Sequence, residues 1–399
     1  MLFKGANVLG KEGFKTQDVL VEEGKIVEVS TNIESKGEVL ECKGLALLPA
    51  LLDVNILPKD STLNSKSLLR TSQKALKGGV GSIFLSPNTS PRNDTEAINA
   101  LVSNVSQSEA INIFSLIPAF NEEDNLNDIS ILYSGNPKSA IYVESDVESN
   151  LLYQAFLYAK MLDLPLIVNA YDTHMEVGLA YESPFIRSLG LGEISFLGQL
   201  KEIAKIAQMA EFLKVKVLFS AFNVPEGFKI LEKSKYLFSQ VPLPHLIFDE
   251  TNLNDYDTRY KLKPPLLPKH EKEKLLGHLK DAYMLTSLHS TVSSHLKNQV
   301  YDDAKASFDC IEHYFGLAYT FLVKSGILSL QDLLTKTSKN ISDFMGLNKG
   351  EIAVGRDCDF MLVDLDSSYK VENQASPLDG LEIFGIIKYM VVGKHISKI

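Results

Sequence analysis

The chain predicts an α/β protein: a (β/α)8 barrel carrying a small β-sandwich domain formed by both termini. Three observations predict it. Apolar and polar residues alternate in "VLVEEGKIVEVS" near the start, which is the two-residue period of a half-buried strand. Compact apolar runs then alternate with long helical patterns over about 300 residues, the rhythm of parallel strands joined by helices. Short β-rich runs with glycine punctuation return at the end in "GEIAVGRDCDFMLVDLD" and "IIKYMVVGKHISKI".

In chain order, residues 1–45 read as the first part of the β-domain, with a hairpin whose turn is the Glu-Gly of "VEEGK". Residues 46–344 read as the barrel. Its strands include "GSIFLSP", "LPLIVNA" and "VKVLFSA", and its helices include "SNLLYQAFLYAKMLDL" and "LGQLKEIAKIAQMAEFLK". Residues 345–399 complete the β-domain. An open doubly wound sheet is the alternative architecture, and in either one the chemistry belongs at the C-terminal ends of the strands.

Composition bounds the function classes. The 399 residues are 45% hydrophobic and 23% charged, with no Trp, as in ordinary globular domains. A formal net charge of −10 disfavours nucleic acid as a partner, because phosphate recognition needs clustered Lys and Arg. Cys42, Cys310 and Cys358 form no CxxC pair, so neither a disulfide framework nor a thiolate zinc site is expected. With no signal-peptide core and no long uncharged apolar run, a cytoplasmic protein without membrane association is expected. "GKEG" and "KGGVG" do not fit a phosphate loop, and no GxSxG nucleophile turn is present.

The strand ends carry the functional signal. "LLPALLDVNILPKD" (47–60) closes one apolar run, and "SPNTSPRND" (86–94) follows another. In these stretches, and in "GLALLPALLD", "HLIFDETNL", "YKLKPPLL" and "NISDFMGLNKGEIAVGRDCDFMLVD", the chain resembles the dihydroorotase branch of the amidohydrolase superfamily. The resemblance spans nearly the whole chain and implies an amidohydrolase-type barrel. In that family zinc lowers the pKa of a bound water, a carboxylate handles the proton, and a ring amide is opened or closed. The first strand there ends in Asp-x-His-x-His-x-Arg, and here Asn55 and Leu57 stand at the histidines and Lys59 at the arginine. Two later histidines fall on Asn169 and Ala221, and the catalytic aspartate falls on Leu288, just before His289. The sixth ligand position falls on Asp146 or Glu144.

No transition metal is therefore expected at the barrel mouth, nor any other cofactor. What the resemblance leaves for substrate binding is Lys59, Asn88 and His289. Each has a plainer reading as well: "PNTSPRND" is a turn sequence that Asn88 would cap, Lys59 would be a solvated charge, and His289 would be inert. The resemblance implies two functions. One is a dihydroorotase-like pseudoenzyme of pyrimidine biosynthesis acting as structural or regulatory partner of another enzyme, for example aspartate carbamoyltransferase. The other is an active dihydroorotase or other cyclic amidohydrolase with a non-standard site. A homo-oligomer is expected in both cases.

Overall fold

A computed structural model describes residues 1–10 and 13–399 of the chain. Eight short strands run parallel: β1 (Leu51–Ile56), β2 (Val80–Leu85), β3 (Asn112–Ser115), β4 (Ile141–Glu144), β5 (Leu166–Asn169), β6 (Val217–Phe219), β7 (Leu237–Pro242) and β8 (Met284–Thr286). Each pairs in parallel with the next in sequence, and β3 does so through its continuation. It pairs with β2 over Asn112–Ser115, bends at Leu116, and pairs with β4 through Ile117–Pro118. The remaining pairs run β4 to β5 to β6 to β7 to β8.

Helices separate the strands: α1 (Ser65–Lys77), α2 (Glu96–Ser108), α3 (Ile129–Gly135), α4 (Ser149–Leu162) and α5 (Phe196–Leu213), with shorter segments beyond. Their boundaries follow local chemistry. Asn64 caps α1 by accepting from Ser67 N, while the Ser67 hydroxyl accepts from Asn64 N. Thr95 and Ser195 cap α2 and α5 in the same sense. Residues Asp163 and Lys214 end α4 and α5 in left-handed conformation.

The last strand is joined to the first by a side chain. Asp53, fully buried in β1, accepts from the Thr286 hydroxyl at 2.7 Å and from Ser287 N at 3.1 Å. Just beyond, Leu57 N donates to His289 O and Asp60 N donates to Thr291 O. These contacts close the barrel where β1 meets β8.

The termini build one sheet of eight strands. Leu2–Gly10 lies near its centre, the hairpin of Gly13–Glu22 and Lys25–Ser30 lies on one side, and Asp359–Lys370, Glu382–Val392 and His395–Lys398 lie on the other. The hairpin turns at Glu23 and Gly24, both at positive φ. The sheet curls until Ile26 N reaches Arg356 O and Cys358 N reaches Gly24 O. It thereby encloses a core of its own, with Phe3, Val19, Ile26, Leu47, Phe360 and Val391. The strand Ala46–Pro49, read from sequence as the start of the barrel, pairs with Phe360–Val363 inside this sheet. Its four residues are all buried, so their apolar run carried no sign of which sheet they join. Cys42, Cys310 and Cys358 are free and buried. Among the described residues no helix is long and apolar enough to cross a membrane.

Candidate functional site

The positions that the resemblance sets against the family's ligands come together at the C-terminal end of the barrel. Asn55 sits in the last turn of β1, Asn169 ends β5, and Ala221 and Leu288 lie two residues beyond β6 and β8. Asn55, Ala221 and Leu288 share an unusual backbone, with φ of 70°, 49° and 55°. Left-handed backbone costs a residue with a Cβ about 1–2 kcal/mol. The strand ends thus keep three strained turns, although two of the side chains they present are hydrocarbon. Ala221→Gly is expected to raise stability by about 0.5–1 kcal/mol, since relief of the turn outweighs the usual entropic cost of glycine. Urea unfolding of the two proteins checks this.

Across the barrel interior runs a chain of neutral hydrogen bonds. The Asn55 amide donates to Ser220 Oγ at 3.0 Å, the Ser220 hydroxyl donates to Gln240 Oε1 at 3.0 Å, and Gln240 Nε2 donates to Val54 O at 3.1 Å. Ser220 and Gln240 are buried. The relay ties β1, β6 and β7 together at their C-terminal ends. It leaves Asn55 Oδ1 buried without a partner.

A second cluster occupies the ends of β2, β4 and β5. The Glu144 carboxylate accepts from Asn88 Nδ2 at 2.7 Å and from the Tyr171 hydroxyl at 2.9 Å, with the Tyr142 hydroxyl 3.5 Å away. Burial, then the Glu144 charge, pushes the Tyr142 and Tyr171 hydroxyls above their ordinary range, so both stay protonated as donors. Lys263 Nζ lies 5.4 Å from the Tyr171 ring centroid. Asp146 turns elsewhere and accepts from the backbone and hydroxyl of Thr173.

Of the three residues expected to bind substrate, Asn88 is at the mouth, half-buried and engaged by Glu144. Lys59 is exposed and makes no ion pair among the described residues. The His289 ring faces inward. It is 1% exposed, and its Nδ1 accepts at 3.4 Å from Cys310 N and Ile311 N. Burial pulls its pKa down to about 4, so the ring is neutral and committed to the protein. In this arrangement its side chain is unavailable to a ligand at the mouth. A groove of about 540 Å³ lies elsewhere, between α1 and Ser397–Ile399.

The donors at the strand ends do not fit the zinc site of the family. Leu57, Ala221 and Leu288 offer no donor side chain, Asn55 and Asn169 offer only neutral amides, and catalytic zinc takes about three His, Asp, Glu or Cys ligands. Among the described residues no three His, Cys, Asp or Glu side chains gather closely enough to hold a metal ion.

Over 403 aligned residues, 98% of its length, the chain is 30% identical to a probable dihydroorotase-like protein of Helicobacter pylori and covers 96% of that protein. The chain belongs to the dihydroorotase family. A dihydroorotase of Ruminiclostridium cellulolyticum is 29% identical over 98% of this chain and 97% of its own length. Among solved structures, an L-hydantoinase (dihydropyrimidinase) from Arthrobacter aurescens superposes with a TM-score of 0.88 at 16% identity, over 100% of this chain and 95% of its own. A dihydropyrimidinase from Brevibacillus agri does so with 0.85 at 18% identity, over 99% and 94%. These likenesses establish the fold, barrel and terminal sheet together. No family model matches the chain.

Sequence reasoning on this dihydroorotase-family chain placed positions 55, 57, 169, 221 and 288 by resemblance and missed the hydrogen-bonded groups beside them. One signal was present. Gln240 is a lone amide in the apolar strand "LFSQVP", and a polar side chain in a strand buried on both faces needs a partner.

Proposed function

We propose that this dihydroorotase-like chain is a pseudoenzyme whose barrel serves pyrimidine biosynthesis as a structural or regulatory partner rather than as a catalyst. Aspartate carbamoyltransferase is the first candidate partner and the cytoplasm the expected compartment. One observation carries the reading: the relay from Asn55 through Ser220 and Gln240 to Val54 O sets neutral, hydrogen-bonded side chains at the strand ends, with Asn55 Oδ1 alone left over. Burying unpaired charges there would cost several kcal/mol, and the neutral relay avoids that cost.

The relay also sets what reversion can do. Asn55→His with Leu57→His is expected to give no dihydroorotate turnover, because positions 169, 221 and 288 still lack their groups. The double variant should be less stable by about 1–2 kcal/mol, having lost the Asn55 hydrogen bond and left Ser220 Oγ short of a donor. Turnover in the double variant with zinc present would defeat the proposal. The partner role is tested by co-sedimentation of the purified chain with aspartate carbamoyltransferase, where a stoichiometric complex is expected and independent sedimentation excludes this partner.

Residual ligand binding is the second reading, and the exposed Lys59 beside a mouth that includes Asn88 favours it. A small carboxylate-bearing ring amide would have to displace Glu144 from Asn88. Calorimetry with dihydroorotate is therefore expected to give at most millimolar affinity, lost in Asn88→Ala and Lys59→Ala.

A further inference from the structure

Helix α1 is a basic helix in an acidic chain. From Ser65 to Lys77 it carries Lys66, Arg70, Lys74 and Lys77 and no Asp or Glu, whereas the whole chain has a net charge of −10. One face of the helix, with Leu68 and Ala75, is buried in the core. Arg70, Lys74 and Lys77 are four and three residues apart, so they share the opposite face. That face forms one wall of the groove of about 540 Å³, and Ser397, Lys398 and Ile399, at the edge strand of the terminal sheet, form the other. Arg70, Lys74, Lys77 and Lys398 thus line a single hollow.

Local chemistry accounts for two of these cations. Lys74 pairs with Asp309, and Lys77 pairs with Glu312 at 2.8 Å. Both lysines also stand in the last turn of α1, where the helix dipole favours positive charge. Arg70 and Lys398 have neither reason to be there. They belong to different elements, both are exposed, and among the described residues neither forms an ion pair. Like charges gathered in one hollow repel each other, and an anion set between them relieves that repulsion.

We propose that this groove binds a small oligophosphate: two or three linked phosphates, free or carried by a nucleotide. Its phosphates lie between Arg70 and Lys398, with Lys74 and Lys77 at their side. A guanidinium fork matches two phosphate oxygens, and a lysine supplies a point charge. The volume falls within the roughly 300–1,000 Å³ of small-molecule sites. A nucleic acid fits less well, because its backbone would run on from this groove over an acidic surface.

A smaller recess of about 190 Å³ adjoins the groove and shares Lys77, Glu312 and Ile399 with it. In the recess His313 Nδ1 lies 2.9 Å from the Tyr369 hydroxyl. Burial holds the His313 pKa below its ordinary value, so the ring is neutral. An uncharged imidazole and a phenol suit the nucleoside end of a nucleotide whose phosphates occupy the basic part.

Calorimetry of the full chain at low salt, without divalent cations, tests this with pyrophosphate and ADP as probes. Binding at about 100 μM or tighter is expected, and it should weaken about tenfold or more as salt is raised to ~0.5 M. Arg70→Glu with Lys398→Glu is expected to lose about 20-fold or more in affinity. Lys160→Glu with Lys229→Glu changes the net charge equally at exposed positions outside the groove, and it should retain the affinity. All four positions are exposed, so circular dichroism should not change in either variant. Tighter binding of ADP than of pyrophosphate supports a nucleotide as the source of the phosphates, and equal affinity supports the phosphates alone. No heat from either probe at millimolar concentration would overturn the proposal. So would an equal loss of affinity in the two double variants.

Discussion

Gln240→Ala is expected to lower the free energy of unfolding by about 3–4 kcal/mol, the largest single effect at the barrel mouth. The side chain is fully buried. Its carbonyl receives the Ser220 hydroxyl and its amide serves Val54 O, so truncation leaves two partners without their bonds and opens a cavity. Buried polar atoms left unpaired cost about 1–3 kcal/mol each, and the cavity adds to this. Gln240→Met nearly keeps the volume and loses only the hydrogen bonds, so it should cost about half as much. Chemical denaturation of the three proteins separates the two contributions. Equal stability of wild type and Gln240→Ala would mean that the relay does not hold the strand ends together.

Asp53 should govern how stability depends on pH. Burial raises its pKa from the ordinary 3.8 to about 6, against the lowering effect of its bonds to Thr286 and Ser287. A folded-state pKa above the unfolded one means that the folded chain holds the proton more tightly. The stabilisation is complete below pH 4 and is lost as pH rises through 6, and it amounts to about 3 kcal/mol. His289 works in the opposite sense. Its folded pKa of about 4 lies below the ordinary 6.5, so its contribution is present above pH 6.5 and is lost as pH falls through 4. The two oppose each other, but burial holds His245 at about 4 as well, so the wild type should still gain stability as pH rises from 4 to 6.5. Asp53→Asn removes one of them. Relative to wild type, that variant should gain about 3 kcal/mol as pH rises from 4 to above 6, and the slope that remains belongs to His289 and His245 together. Urea unfolding across that range measures the difference, and parallel profiles would contradict the assigned role of Asp53.

The fold was legible because its signals are local. The hairpin turn at Glu23–Gly24, the strands ending at Leu85 and Asn169, and the helices α4 and α5 all follow from periodicity and caps within a dozen residues. The bend at Leu116 and the placement of Ala46–Pro49 were not legible, since an apolar run does not state its pairing partner. The site divides in the same way. The substituted positions 55, 57, 169, 221 and 288 can be read along the chain by resemblance. What replaced their function depends on residues far apart in sequence. Asn88 meets Glu144 across 56 residues, Asn55 meets Ser220 across 165, and the inward turn of the His289 ring depends on the backbone of Cys310 and Ile311. Only the folded chain places these together.

The most direct test is to assay one preparation, purified without chelator, for zinc content and for dihydroorotate turnover in both directions. The expected result is well below one zinc per ten chains, and turnover indistinguishable from buffer even after zinc is added. Stoichiometric zinc bound near Asn55 with measurable ring opening would contradict the reading of this barrel as a scaffold.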